Sequence, residues 1–244
     1  MDPIKQFQSE VNSSIHQLGR DQTLKRLAME FVSKSVRHKY AYNFTWLGRP
    51  IIQYPQDMVV VQELIWKVKP DLIIETGIAH GGSLILSASI LELIGGRGRV
   101  VGIDIDIRAH NRRAIEQHRL AKRITLIEGS SIDERVIQQI RKIATGKKRV
   151  MVFLDSSHAH DHVLRELELY HPFVSKGSYL VVFDTVVEDL PAGAVRNRPW
   201  GKGSNPKTAV RKFLRGNHKF MVDKAIEDKL LITVAPNGFL KRVK

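Results

Sequence analysis

Five short apolar runs in this chain of 244 residues each end in acid: "DLII" at Glu75, "VVGI" at Asp104 and Asp106, "ITLI" at Glu128, "RVMVFL" at Asp155 and "SYLVVF" at Asp184. Carboxylates recurring at one position of successive runs can accept hydrogen bonds from a diol, hold a divalent cation or exchange protons. The first run is followed by Gly77, Gly81 and Gly82, and then by Leu84, Ile85, Ala88, Leu91 and Ile94 at helical spacing. The glycines therefore occupy a strand-to-helix turn. Its unpaired amides can receive a carboxylate, a phosphate or a ribose pressed against the chain. Asp104 has the position of the acid that binds a ribose diol in nucleotide-binding folds. The glycine intervals differ from G-x-G-x-x-G, which counts against a dinucleotide.

These residues can act together only if the run ends share one edge of a sheet. Strand-like and helix-like runs alternate from residue 71 to residue 184, five strands with four helices between them. That order predicts an α/β fold, a doubly wound, mainly parallel sheet covered on both faces. Helical patterns over residues 3–18 and 21–38 make residues 1–45 an N-terminal helical extension, with the α/β domain over 46–244. Near the C-terminus, "HKFMVDK" and "LLITVAPNGFLKRV" read as edge strands of the same sheet, the second broken by a Pro-Asn-Gly turn.

Composition narrows the function classes. The formal charge of +14 resides at the ends: residues 51–195 balance 18 basic against 18 acidic side chains, while residues 196–244 hold 13 against 3. With no reader motif for bases, this charge does not predict a nucleic-acid partner. The absence of cysteine fits a reducing cytoplasm. The N-terminus lacks the apolar core of a signal peptide, and no run is long enough to span a membrane.

Several motifs in order, "WLGRPIIQYPQDM", "KPDLIIETGIAHGGSL", "GRVVGIDIDIR", "ITLIEGSSID", "VFLDSSHAHDHVLRELELY", "YLVVFDTVVED", "NPKTAVRKFL" and "LLITVAPNGFLKR", resemble the cephalosporin hydroxylase family over residues 45–243. That family is similar to class I S-adenosylmethionine-dependent methyltransferases, and some relatives methylate sugar hydroxyls. The resemblance implies that Glu75, Gly77, His80, Gly81, Gly82 and Ser83 line the methionine end of S-adenosylmethionine. It places Asp104 on the ribose and Ser130 and Ser131 near the adenine. Asp155 and Asp184, with Thr185 beside the latter, resemble a site for Mg2+ or Mn2+, and His158 holds the position of a base. The sequence departs from the family at Phe183, where antibiotic-pathway members are expected to carry a second acid. Homo-oligomers are a further implication.

The implied reaction makes physical sense. An alcohol attacks a methyl group only as its proton leaves, and a divalent cation can lower that proton's pKa while an imidazole accepts it. Two other readings stand beside O-methyl transfer to a sugar. An oxygenase would need two histidines and a carboxylate converging on iron; His158, His160, Asp161 and His162 are available, but at one helix start only His158 and His162 share a face. A non-catalytic nucleotide- or anion-binding module would leave Asp155 and Asp184 unexplained. Equally, Ser156 or Ser157 could cap a helix whose histidines are surface groups. Finally, the segment over residues 190–210 carries Arg196, Arg198, Lys202 and Lys207 and no acid, with Gly193, Gly201, Gly203 and Trp200. It reads as a lid over an anionic sugar acceptor.

Overall fold

The computed structural model of the protein describes every residue except Met1, Ala192 and residues 195–197, so Arg196 lies outside the described residues. Two helices, α1 (Pro3–Arg20) and α2 (Gln22–Val36), lead to a hairpin of β1 (Phe44–Trp46) and β2 (Arg49–Ile51), and then α3 (Pro55–Val68). The alternating body follows as β3 (Leu72–Thr76), α4 (Gly82–Ile94), β4 (Arg99–Asp104), α5 (Ala109–Glu116), β5 (Ile124–Glu128), α6 (Glu134–Ala144), β6 (Val150–Leu154), α7 (His160–Tyr170) and β7 (Tyr179–Val182). The chain closes with α8 (Pro206–Gly216), β8 (Phe220–Val222), α9 (Lys224–Leu230) and β9 (Phe239–Arg242).

The main sheet has the order β5-β4-β3-β6-β7-β9-β8. The five strands from β3 to β7 are parallel, and β9 and β8 add antiparallel pairings at one side. Both faces are buried, which is why the central strands are apolar without interruption. Ile73, Met151 and Phe153 pack with residues of α3 and α4, while Leu72, Ile74, Val152 and Leu154 point to the other face, toward α6, α7 and α8. Strand order reverses between β3 and β6, so a crevice opens beyond their carboxyl ends.

Two readings of the C-terminal segment need correction. β9 lies inside the sheet between β7 and β8, so only β8 is an edge. Within "LLITVAPNGFLKRV" only Phe239–Arg242 is a strand. The preceding residues are drawn elsewhere: Leu231 is left-handed at φ +58, and the fully buried Asp57 accepts hydrogen bonds from Thr233 Oγ1 and, at 3.0 Å, from Val234 N. Their polar groups satisfy a buried carboxylate instead of a ladder.

The turn after β3 needs glycine at its first residue. Gly77 has φ +88, and a Cβ there would stand 2.1 Å from the Asp155 carbonyl oxygen. Gly146, also left-handed at φ +76, has nothing within 4 Å of the same point. Gly77→Ala should therefore combine left-handed strain with overpacking, about 2–5 kcal/mol in all, while Gly146→Ala incurs only the strain, about 1–2 kcal/mol. Urea midpoints check this; equal losses at both sites would show that the backbone of β6 yields freely.

Candidate active site

A cavity of about 710 Å3 occupies the crevice. Its floor is the set of strand ends carrying Gly77, Asp104, Asp155 and Asp184, and its walls include α2, residues 39–42, residues 50–54 and the segment after β7. One half is organised by the glycine turn. Asp104 Oδ2 accepts from Ile78 N at 2.8 Å and Ala79 N at 3.3 Å, and Oδ1 accepts from Asp106 N at 3.2 Å. The acid is thus fixed in place by backbone donors, and it still borders the cavity with free lone pairs. His80, Gly82 and Ser83 line the same wall, where the first amides of α4 lack helical partners.

Glu75 is buried on β3, and one of its oxygens accepts from Ser83 Oγ while Oε2 has no partner among the described residues. Burial pushes it up to about 7 against the pull of the Ser83 bond. A buried, half-satisfied carboxyl beside a turn with spare amides has unused hydrogen-bonding capacity that suits a zwitterionic ligand.

The other half of the cavity is acidic. Asp155, His158 and Asp184 each offer a ligand atom, and these atoms all lie within 4.8 Å of one another. His158 Nε2 is 3.0 Å from Asp184 Oδ2. Burial, then the nearby charges of Asp184, Glu75, Glu166 and Asp57, drive Asp155 well above the usual carboxylate range. Such a crowd of carboxylates needs either protons or a cation, and two carboxylates with an imidazole form a donor set that could hold a divalent metal. The indole of Trp200 meets the His158 ring edge-on at 4.7 Å, and the Arg198 guanidinium lies 5.7 Å from the Trp200 ring centre. The segment after β7 therefore lies against the acidic half.

Not every expected residue converges. Thr185 is fully buried and its hydroxyl donates to the Pro236 carbonyl at 2.8 Å, outside the Asp155–His158–Asp184 group. Ser130 and Ser131 are not part of the cavity lining; Ser131 is buried, with Oγ 3.0 Å from His162 Nε2. The histidine run separates: His160 Nδ1 is 2.7 Å from Thr208 Oγ1 of α8, His162 faces Ser131 and Ser156, and His158 alone borders the cavity. A two-histidine iron site is thereby excluded among these residues. Sequence reasoning passed over Arg49, Asn111, Gln53, Tyr54 and the Lys39–Tyr42 wall. Of these, only "RPIIQYP" carried a signal, as a motif of undetermined purpose.

A family described as Rhamnosyl O-methyltransferase/CmcI matches residues 38–243. The rhamnosyl O-methyltransferase of Mycobacterium bovis (strain BCG / Pasteur 1173P2) is 32% identical over 213 residues, covering 84% of this chain and 83% of that protein. Its namesake in Mycobacterium leprae is 32% identical over 215 residues, covering 84% and 88%. Among solved structures, CmcI with Mg and SAM superposes with TM-score 0.60 at 19% identity, covering 83% of this chain and 78% of that one. The O-methyltransferase from Bacillus cereus in complex with SAH gives 0.52 at 18% identity, covering 80% and 81%. Both share the doubly wound fold.

The buried acids make a pH signature. Burial raises Asp57 from 3.8 to about 7 despite its bonds from Thr233 and Val234. The folded state thus retains a proton that the unfolded chain has released, so this contribution to stability is complete below pH 3.8 and is lost as pH rises to about 7. The stability of Asp57→Asn relative to the parent should rise across that window, by about 1.4 kcal/mol per pH unit at the steepest, and level off above it. Urea denaturation of the chelated protein between about pH 4 and 8 reads the difference; a flat profile would mean that Asp57 is ionised in the fold.

Proposed function

This chain belongs to the Rhamnosyl O-methyltransferase/CmcI family and is an S-adenosylmethionine-dependent O-methyltransferase; we propose that its acceptor is a sugar or glycoside hydroxyl and that Asp155, His158 and Asp184 carry the chemistry. The observation that carries the reading is the convergence of those three side chains at one end of the cavity whose other end is built around Asp104 and the glycine turn. The rhamnosyl group in the name of the mycobacterial rhamnosyl O-methyltransferases supports a sugar acceptor.

Asp104 accepts hydrogen bonds from the ribose, and Glu75 with Ser83, His80 and the first amides of α4 receives the amino-acid end. Gly77, Gly81 and Gly82 bring that backbone close, while Ser130 and Ser131 contribute from the β5 side without bordering the cavity themselves. Asp155 and Asp184 would hold Mg2+ or Mn2+, and Thr185 supports the turn that presents Asp184. Bound, S-adenosylmethionine supplies an electrophilic methyl group and the cation lowers the pKa of the acceptor hydroxyl. His158, whose Nε2 lies 3.0 Å from Asp184 Oδ2, takes the hydroxyl proton. Trp200 offers a flat face for the sugar ring, and Arg198 favours an acceptor carrying negative charge. The lack of cysteine fits reaction in the cytoplasm.

Kinetics and calorimetry test the assignment together. Asp104→Ala should weaken S-adenosylhomocysteine binding by about 1–3 kcal/mol. Asp184→Asn, or exhaustive chelation, should lower turnover and leave that affinity intact. Arg198→Ala should raise the KM of an anionic acceptor and flatten its salt dependence. Full activity after chelation would remove the metal from the mechanism, and tight binding of NAD without S-adenosylhomocysteine would overturn the cofactor.

We also propose a homo-oligomer joined through α1 and α2. Although 18 residues long, α1 has no buried residue; Ile4, Phe7 and Val11 stand exposed on it, and Leu24, Leu27 and Phe31 stand exposed on α2. Multi-angle light scattering should give a mass above 27.8 kDa that falls to the monomer in Phe7→Glu; a monomeric parent would refute it.

A further inference from the structure

The glycine turn holds an improbable backbone. Gly77, Ala79 and Gly81 are all left-handed, at φ +88, +45 and +82, and alanine adopts that conformation only under constraint. The amide side of the turn is fixed from the sheet, by Gly77 N on Ile103 O at 2.8 Å and by the Asp104 carboxylate on Ile78 N and Ala79 N. The carbonyl side is fixed from elsewhere. Arg49 Nε and Nη2 both donate to His80 O, at 3.0 and 2.5 Å, and Nη2 also donates to Asn111 Oδ1 at 3.0 Å. Asn111, buried on α5, donates through Nδ2 to Ala79 O at 2.9 Å.

We propose that the β1–β2 hairpin is a brace for the cofactor turn, with Arg49 and Asn111 as its positioning residues. The pair draws the Ala79 and His80 carbonyls away from the ligand side, so that the turn shows the His80 amide, the first amides of α4 and Asp104 to the cavity. A carbonyl rotated inward would repel the carboxylate that those amides receive. The hairpin is itself anchored against its neighbours. Trp46 Nε1 donates to Ser89 Oγ of α4 at 3.0 Å, and His118 Nε2 lies 3.2 Å from Leu47 O in the hairpin turn. β2 runs directly over the start of α4, where a Cβ on Gly82 would stand 2.3 Å from Pro50 O. An arginine suits this position because its planar fork can place two donors on one oxygen while a third contact reaches Asn111. Neither side chain touches the acidic half, so the brace acts on cofactor binding alone.

The inference rests on the cofactor reading above, and the experiment separates the two. S-adenosylhomocysteine affinity is measured by calorimetry for the parent, Arg49→Ala, Asn111→Ala and the double variant, with KM for S-adenosylmethionine and for acceptor alongside. The brace predicts a loss of about 10- to 100-fold in cofactor affinity for Arg49→Ala, an unchanged acceptor KM, partial recovery with added guanidine, and a double variant little worse than the more severe single one. Should Arg49→Ala not fold, Arg49→Lys keeps the charge without the fork and should still lose affinity. Parent-like cofactor affinity in the folded Arg49 variant, or an equal rise in acceptor KM, overturns the brace. A parent that binds no adenosyl ligand overturns the cofactor reading and the brace with it.

Discussion

The hydrogen-bond ladder of the parallel sheet continues one residue past its strands, and the site is built on that continuation. Asp155 N donates to Thr76 O at 2.9 Å, Gly77 N to Ile103 O at 2.8 Å, Gly129 N to Asp104 O at 2.8 Å and Phe183 N to Leu154 O at 3.0 Å. Loops normally begin where pairing ends and wander from there. Here the first loop residues are still in register, so the acids at the strand ends are held with the precision of the sheet. Gly77 is the residue on which this depends, because any side chain would force β3 and β6 apart at the point where their ends must meet.

That precision has an electrostatic cost. Bringing Asp155 into register with Glu75 and Asp184, above the buried Glu166 and Asp57, concentrates carboxylates in a region where water cannot screen them. The protein answers by binding most of these acids to neutral donors. Thr233 and Val234 serve Asp57, Ser83 serves Glu75, and Ser156 Oγ donates to Glu166 at 2.7 Å. Asp155 has no such donor among the described residues and faces the cavity. Asp184 is additionally held at φ +54, a conformation that a non-glycine residue adopts at some cost. Strain and crowded carboxyl groups thus coincide where the chemistry is assigned.

The strand ends were legible in the sequence because a buried parallel strand is an apolar run with an abrupt polar end, and Glu75, Asp104, Asp155 and Asp184 mark four such ends. His158 was legible for its distance from Asp155. Thr185 and Ser131 were not, since one residue of progress along a strand end or a turn reverses the side-chain direction, and neighbours in sequence then face different surroundings. Arg49 and Asn111 were beyond reach for another reason. They meet across 62 positions of sequence, and each alone is an ordinary polar residue. Both C-terminal segments supply a strand of the sheet, but "LLITV" does not extend the last one, because despite its strand composition it is used to satisfy Asp57, a tertiary demand that overrides propensity.

The histidine run shows how a dense motif can mislead about chemistry while being informative about construction. Three histidines within five residues suggest a metal cluster, yet the residues leading into α7 and its first turn send them to three neighbours. His158 goes to the cavity, His160 to Thr208 at the start of α8, and His162 to Ser131 and Ser156. Thr208 is itself part of the capping box in which Asn205 accepts from Lys207 N and Thr208 N, and the same Asn205 donates to Glu188 just beyond Asp184. The helix start that carries the base is therefore tied on one side to the end of β5 and on the other to the turn after β7. With both neighbours fixed, the position of His158 relative to Asp184 is set by packing around it.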